Sequence, residues 1–249
     1  MHQMEMLLLI AFAGFYAGIQ NTLAGGGSFI TFPTLMLAGG LNPLAANITS
    51  TVAMFPNQIT SSLGGRRLGG GVGELSLEKL FFLSIAGGLL GAVLLLITPV
   101  SFFTRLVPWL VLFATSVFAW GSFRKKPLHA AASMSTAMVA AIQFCIAIYG
   151  GYFGGGIGFL MLATLIMSGQ DVRMATATKN ILAMAMNASA VLLFVFSSQV
   201  DWIATLALAL GGVGGGFAGN WLVYRLPEKI LRIFVVIVGF VLTVWLFVR

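Results

Sequence analysis

No ionised side chain occurs between Glu5 and Arg66, and between Lys126 and Asp171 the only titratable side chains are His129, Cys145, Tyr149 and Tyr152. A helix needs about 20 apolar residues to cross the roughly 30 Å of bilayer hydrocarbon, so each run is long enough to cross more than once. Backbone inside hydrocarbon must satisfy its own hydrogen bonds, which leaves helices or a closed barrel. These uninterrupted apolar runs, without a strand-like alternation, point to helices, and the chain reads as an all-α polytopic membrane protein. The first run, from Met6, lacks a basic leader and continues into a glycine motif, so it is read as structure rather than as a cleaved signal.

Charge supports the same class. Only 8% of the 249 residues are charged, against roughly a quarter in soluble domains. The net charge of +7 is spread singly or in twos and threes between apolar segments, which suits topology signals better than a nucleic-acid surface. Cys145 stands alone and inside an apolar run, so no intrachain disulfide or thiolate metal site is indicated, and the residue is expected in the core.

Apolar segments fall at Met6–Ala24, Phe29–Ala38, Pro43–Leu63, Leu77–Ile97, Leu106–Phe123, Ser133–Phe153, Phe159–Met167, Ala175–Phe196, Trp202–Leu222 and Ile230–Val248. Phe29–Ala38 and Phe159–Met167 are too short to cross alone, and each follows a glycine triplet, Gly25-Gly26-Gly27 or Gly154-Gly155-Gly156. An offset of 129 superposes the triplets and then carries Gly40 onto Gly169, Asn42 onto Asp171, Ala46 onto Ala175 and Thr49 onto Thr178. Further on, Gly87-Gly88-x-x-Gly91 echoes Gly211-Gly212-x-x-Gly215 at a slightly different offset. The chain therefore divides into two membrane repeats, 1–123 and 124–249, within one integral membrane domain.

Lysine and arginine placement decides how the triplets are threaded, because cytoplasmic loops hold the excess of these residues. If each short segment continues its predecessor, there are eight crossings, with seven basic residues on one side and six on the other. If each pair is a hairpin turning at its triplet, one side holds Arg66, Arg67, Lys79, Arg124, Lys125, Lys126, Arg173, Lys179, Arg225, Lys229 and Arg232. The other side then holds only Arg105 and Arg249. The hairpin arrangement is predicted: an inverted repeat in the cell membrane, each half a glycine-turned hairpin plus three spanning helices, with both termini outside.

Irregular backbone at membrane depth survives only where it is buried in protein or lines a wet cavity, so the triplets mark a candidate site. Glycine admits positive φ, and the N–H groups that open the following half-helix can receive an anion. Polar residues gather nearby: Gln20, Asn21, Thr22 and Ser28, then Asn47, Thr49, Ser50, Thr51 and Asn57, with Thr176, Thr178, Lys179, Asn180 and Asn187 in the second half. The predicted solute-binding set is Asn21, Gly25, Gly26, Gly27, Ser28, Asn47, Thr49, Ser50, Thr51, Gly154, Gly155, Gly156, Thr178, Lys179 and Asn180. Lys179 is the sharpest member, with snorkelling to the headgroups as its alternative. The glycines at 87, 88 and 91 and those from 211 to 219 are expected to serve helix packing.

The stretch Gly14–Gly65, with Gly25-Gly26-Gly27-Ser28, Pro33, Leu35, Gly40 and Ala46–Thr51, resembles the sulfite exporter TauE/SafE family of membrane permeases. The second-half run Gly154-Gly155-Gly156, Gly158 and Ala175–Asn180 resembles that family's repeated motif, and the likeness covers nearly the whole chain. It implies transport of sulfur-containing anions such as sulfite, sulfonates or thiosulfate, or in some members of other carboxylated compounds. Leu162 stands where the first half has Pro33, so the two half-sites are not expected to be chemically equal.

An intramembrane enzyme is disfavoured, because His2 and His129 lie at the terminus and in a basic loop and no paired carboxylates lie at membrane depth. A cation carrier would want carboxylate, histidine or cysteine clusters, which the apolar runs lack. The reading is thus a multi-pass permease of small anions working by alternating access, with an anion channel or a carrier of non-sulfur carboxylates as alternatives. Its partners are the lipid bilayer and a small anionic substrate, with no nucleic acid and no cofactor; a homo-oligomer stays open.

Overall fold

A computed structural model describes residues 3–23, 26–123, 134–222 and 228–248. Ten α-helices run through them: α1 (Gln3–Leu23), α2 (Ser28–Leu37), α3 (Pro43–Gly65), α4 (Leu77–Ile97), α5 (Val100–Phe123), α6 (Thr136–Tyr152), α7 (Ile157–Met167), α8 (Val172–Phe194), α9 (Trp202–Leu222) and α10 (Glu228–Val248). Each apolar segment of the sequence becomes one helix. Gly25, the stretch 124–133 that holds the expected repeat boundary, and His2, Arg225 and Arg249 lie outside the described residues.

Among the described residues five helices, α1, α4, α5, α8 and α9, contain windows long and apolar enough to cross a membrane. The fold is that of a multi-pass all-α membrane protein. Helix α3 has 23 residues and hence the length to cross, but its row of polar side chains lowers its hydropathy. Helix α5 starts at Val100, a turn and a half before the apolar segment, because exposed Arg105 is tolerated on a helix where the long side chain can reach water.

Two helix boundaries follow the offset that relates the glycine triplets. The offset of 129 carries Pro43–Gly65 onto Val172–Phe194 end for end. Both helices are started in the same way: the Asn42 side chain accepts from the Ala45 N–H at 2.9 Å, and the Asp171 carboxylate accepts from the Arg173 and Met174 N–H groups at 2.9 and 3.0 Å. Such caps satisfy donors that the first helical turn leaves open. Past the next loop the bounds Leu77–Ile97 and Trp202–Leu222 differ by 125, and the glycines at 87, 88 and 91 fall on those at 211, 212 and 215 with an offset of 124. The loop ahead of α4 is the longer one and holds a 3-10 turn, Arg66–Leu68.

At the first triplet the chain doubles back. Gly26 has φ 83°, and a Cβ at Gly27 would stand 2.8 Å from the Ala17 carbonyl oxygen. Ten residues along one continuous helix would be ~15 Å apart, so α2 returns beside α1 instead of extending it. A second observation concerns the loops. The Gln170 amide donates to the Gly70 and Gly71 carbonyls at 2.8 and 3.0 Å, which brings the loop before α4 and the loop before α8 to the same end of the molecule.

The packing of the halves is less simple than their order. Helix α4 lies against α6 and α8, and α9 lies against α1 and α3, so each half lends one helix to the other. The exchanged helices are held by close backbone approach. A Cβ at Gly91 would fall on the Ile148 carbonyl of α6, and one at Gly215 on the Phe15 carbonyl of α1. Gly88 and Gly212 occupy matching places, facing Met186 of α8 and Met54 of α3. Small residues that admit such contacts are the usual means of joining helices in lipid, where hydrophobicity gives no net drive. The helix-packing role expected for these glycines is therefore the one they have.

The outer surface is apolar, with Phe12, Phe82, Trp109, Phe217 and Phe240 each more than half exposed. Cys145 is also exposed, against the expectation of a core position. A thiol behaves as a small hydrophobe, so a lipid-facing surface accepts it as readily as a core does.

Candidate functional site

Helices α3 and α8 pack against each other, and α8 is the most enclosed of the candidate spans, with 61% of its window buried against 33–39% for the others. Between them lies a cavity of about 40 Å³, room for roughly three waters. Its walls repeat the symmetry of the chain. Helix α3 contributes Ser50, Thr51, Met54, Gln58 and Ser61; helix α8 contributes Lys179, Asn180, Ala183 and Asn187. The offset of 129 carries Ser50 onto Lys179, Thr51 onto Asn180, Met54 onto Ala183 and Gln58 onto Asn187. Residues spaced by three or four share a helix face, so one face of each repeat-related helix looks into the same space.

The remaining wall comes from the two glycine turns. Asn21, Gly26 and Ser28 reach it from the α1–α2 turn, and Gly154, Ile157 and Gly158 from the α6–α7 turn. The first residues of α2 and of α7 thus open on one cavity. A helix start carries N–H groups without intrahelical partners and the positive end of the helix dipole, worth about half a charge. Gly154 and Gly156, with φ 78° and 75°, set the backbone that delivers α7 to this position, a conformation that a side chain with a Cβ strains to adopt.

Lys179 dominates the electrostatics. It is only 5% exposed, lies about 12 Å along α8 from the Asp171 cap, and lines the cavity rather than snorkelling outward. Among the described residues it has no hydrogen-bond or ion-pair partner, and no carboxylate shares the cavity wall. A lysine at membrane depth costs about 2.5–3.5 kcal/mol on insertion scales, and here no anion among the described residues offsets it. Among the described residues Asn180 and Ser28 likewise make no side-chain hydrogen bond, and the buried Gln58 Oε1 has no partner. The cavity therefore presents one cation, amide and hydroxyl groups, and two helix starts.

The polar residues predicted from the sequence separate into two groups. Asn21, Gly26, Ser28, Ser50, Thr51, Gly154, Lys179 and Asn180 are brought together around the cavity. Some of them are partly engaged: Ser50 pairs with Thr31 at 2.6 Å, Thr51 donates to the Asn47 carbonyl at 2.9 Å, and Asn21 donates to Asn57 at 3.0 Å, which donates in turn to the Gly212 carbonyl at 3.1 Å. Gly27, Gly155 and Gly156 belong to the turns without forming the described wall, and Gly25 lies outside the described residues.

Asn47, Thr49 and Thr178 stand apart from the cavity and hold backbone. Asn47 donates to the Tyr152 carbonyl at the end of α6, at 3.0 Å. Thr49 accepts from the Asp201 N–H at 3.1 Å, and Thr178 accepts from the Gly70 N–H at 3.0 Å. The two threonines, equivalent in the repeat, each secure the loop that leads into a helix lent by the other half. Met54, Gln58, Ser61, Ile157, Gly158, Ala183 and Asn187 line the cavity without having been in the predicted set. A face drawn through Ser50 and Lys179 at helical spacing would have found five of them.

Comparison with known proteins bears on what this cavity serves. A family model described as sulfite exporter TauE/SafE matches residues 10–246. A probable membrane transporter protein, ORF9, from a Sinorhizobium species is 28% identical over 248 residues, covering 96% of this chain and 92% of the relative. The probable membrane transporter protein YfcA of Escherichia coli K12 is 27% identical over 96% of this chain and 88% of its own length. A probable membrane transporter protein of Haemophilus influenzae is 25% identical over 96% of this chain and 93% of its own length.

Proposed function

The chain belongs to the sulfite exporter TauE/SafE family of membrane transporters, and from that premise we propose that it carries a small oxyanion, sulfite or a short organosulfonate, by alternating access. The observation that supports this most directly is Lys179: a buried ammonium in an internal cavity, with no anionic partner among the described residues. A bound anion would supply the missing charge, and the starts of α2 and α7 would add N–H donors to its oxygens. The volume of about 40 Å³ suits a solute of a few heavy atoms, and a longer tail would require the walls to part.

The exchanged helices support a rocking motion. One bundle is α1, α2, α3 and α9, the other is α6, α7, α8 and α4, and α3 meets α8 where the bundles join. A cavity at that contact opens to one face or the other as the bundles tilt. The repeats 1–123 and 124–249 are taken as inverted relative to each other, in the cell membrane with both termini outside. The meeting of Gln170 with Gly70 and Gly71 supports this threading, because the eight-crossing alternative puts those loops on opposite sides. A reporter fused after Arg249 that is active only in the cytoplasm would reject it.

The transport reading is tested with purified protein in proteoliposomes given labelled sulfite, thiosulfate or methanesulfonate. Saturable uptake and counterflow of at least one of them are expected. Uptake linear in concentration and without counterflow identifies a channel, and flux of none of the three removes the substrate assignment.

A further inference from the structure

We propose that Lys179 is the proton-carrying group of the transport cycle, so that net movement of an anion is tied to one proton while exchange of anion for anion is not. The inference rests on the anion-carrier reading and adds the coupling that reading lacks.

The argument begins with what surrounds the amine. Lys179 is the only ionisable side chain in the described cavity wall. Helices α3 and α7, which pack on α8, carry no ionisable residue. Helix α4 offers Glu78 and Lys79, and the 3-10 turn beside α8 offers Arg66 and Arg67, all four exposed. Helix α6 carries Cys145, Tyr149 and Tyr152, none of them in the cavity wall, and on α8 itself Arg173 and the capping Asp171 are exposed. Among the described residues no second group stands in the cavity wall to take a proton from the lysine or to neutralise it.

Two states of the cycle follow. With a monovalent anion bound, such as methanesulfonate or hydrogen sulfite, the ammonium and the anion form a neutral pair, and the cavity can be carried across closed. With the anion gone, a bare ammonium remains in a space that holds only a few waters, and closing over it is opposed by desolvation. A lysine can leave that state by giving its proton to water on the side where the anion was released, which leaves a neutral amine that Asn180 and Ser50 can serve as hydrogen-bond partners. The empty carrier then returns, takes up a proton on the other side, and is ready for the next anion. One N–H bond forms and one breaks per cycle, with no other reactant. If the site instead reloads with anion before returning, the lysine keeps its proton and exchange proceeds without net proton movement.

Arginine separates the two routes, because its guanidinium holds the same charge and does not deprotonate in proteins. The experiment uses the full-length protein in proteoliposomes with labelled sulfite and methanesulfonate, measuring exchange and net uptake with and without a pH gradient. For the wild type, an inward proton gradient is expected to raise net uptake at least tenfold and leave exchange unchanged. Lys179→Arg is expected to lower exchange by whatever the larger guanidinium costs the binding cavity, so the coupling is read as a ratio: its net uptake relative to its own exchange is expected to lose the tenfold response to the gradient. A merely structural lysine would move both together. Should the arginine protein fail to assemble, a pH-sensitive dye inside wild-type vesicles decides the matter: one proton per methanesulfonate is expected. Gradient-independent net uptake with normal exchange, or gradient-driven uptake that survives in Lys179→Arg, overturns the coupling and leaves the carrier standing. Exchange of neither anion by the wild type overturns the carrier reading and this one with it.

Discussion

The cavity faces of α3 and α8 share a register and differ in chemistry. Ser50 and Lys179 occupy the same repeat position, as do Gln58 and Asn187, and both helices enter the cavity beside a glycine turn. Yet Ser50 is tied to Thr31 at 2.6 Å, whereas Lys179 has no partner among the described residues. The difference separates what the two helices share from what only one of them adds. They share a polar face beside a half-helix start on each side of one space. In the described wall α8 alone adds net charge, and so the anion selectivity proposed for the cavity rests on one side of a nearly symmetric frame.

That asymmetry can be tested by moving it. Lys179→Ser puts the same residue at positions 50 and 179 and removes the buried counter-charge. Truncating one partner of such a desolvated pair costs about 2–5 kcal/mol, so anion binding is expected to weaken ~30-fold or more. The double change Ser50→Lys with Lys179→Ser restores one lysine on the opposite face of the same cavity, at the expense of the Thr31 contact. Recovery of at least ~10-fold over the single variant is expected if the frame accepts the charge from either side. Equilibrium binding to protein whose folded yield matches the wild type measures both. A double variant as weak as Lys179→Ser would mean that the two faces are not interchangeable, and that the lysine acts through local geometry on α8 rather than through charge in the cavity.

What the sequence revealed, and what it hid, follow the same division. The apolar segments, the offset of 129 and the glycine turns were legible because helix length, charge depletion and positive-φ glycine leave marks in a single chain. Lys179 was legible as an intramembrane cation but not as buried, since a lysine two turns into a helix can equally snorkel; only the packing of α3 across α8 decides it. The exchange of α4 and α9 between the halves was not legible. Gly87, Gly88 and Gly91 announce a close helix partner without naming it, and the partners, α6 and α8, belong to the other repeat. The roles of Asn47, Thr49 and Thr178 were hidden for the same reason: their bonding partners Tyr152, Asp201 and Gly70 lie more than a hundred residues away.

Thr49 and Thr178 give the smallest expected effect and the sharpest contrast with the cavity. Both are fully buried, and both were predicted to touch the solute. In the structure each gives its hydroxyl to a loop: Thr49 accepts from Asp201, the residue whose carboxylate in turn accepts from the Ala204 N–H at 2.9 Å at the start of α9, and Thr178 accepts from Gly70. Valine at either position keeps the branched shape and withdraws the acceptor. The Gly70 carbonyl, which Thr178 also reaches at 3.3 Å, keeps Gln170 as a donor, so each substitution strands one backbone N–H. That costs about 1–3 kcal/mol where water cannot replace the bond and less where it can. Thr49→Val and Thr178→Val are therefore expected to lower stability in detergent by similar small amounts and to leave anion affinity within about threefold. A loss of affinity beyond tenfold in either, with normal stability, would return that threonine to the solute site. It would also show that the cavity opens, in another state of the cycle, further along α3 or α8 than the face lined by Ser50 and Lys179.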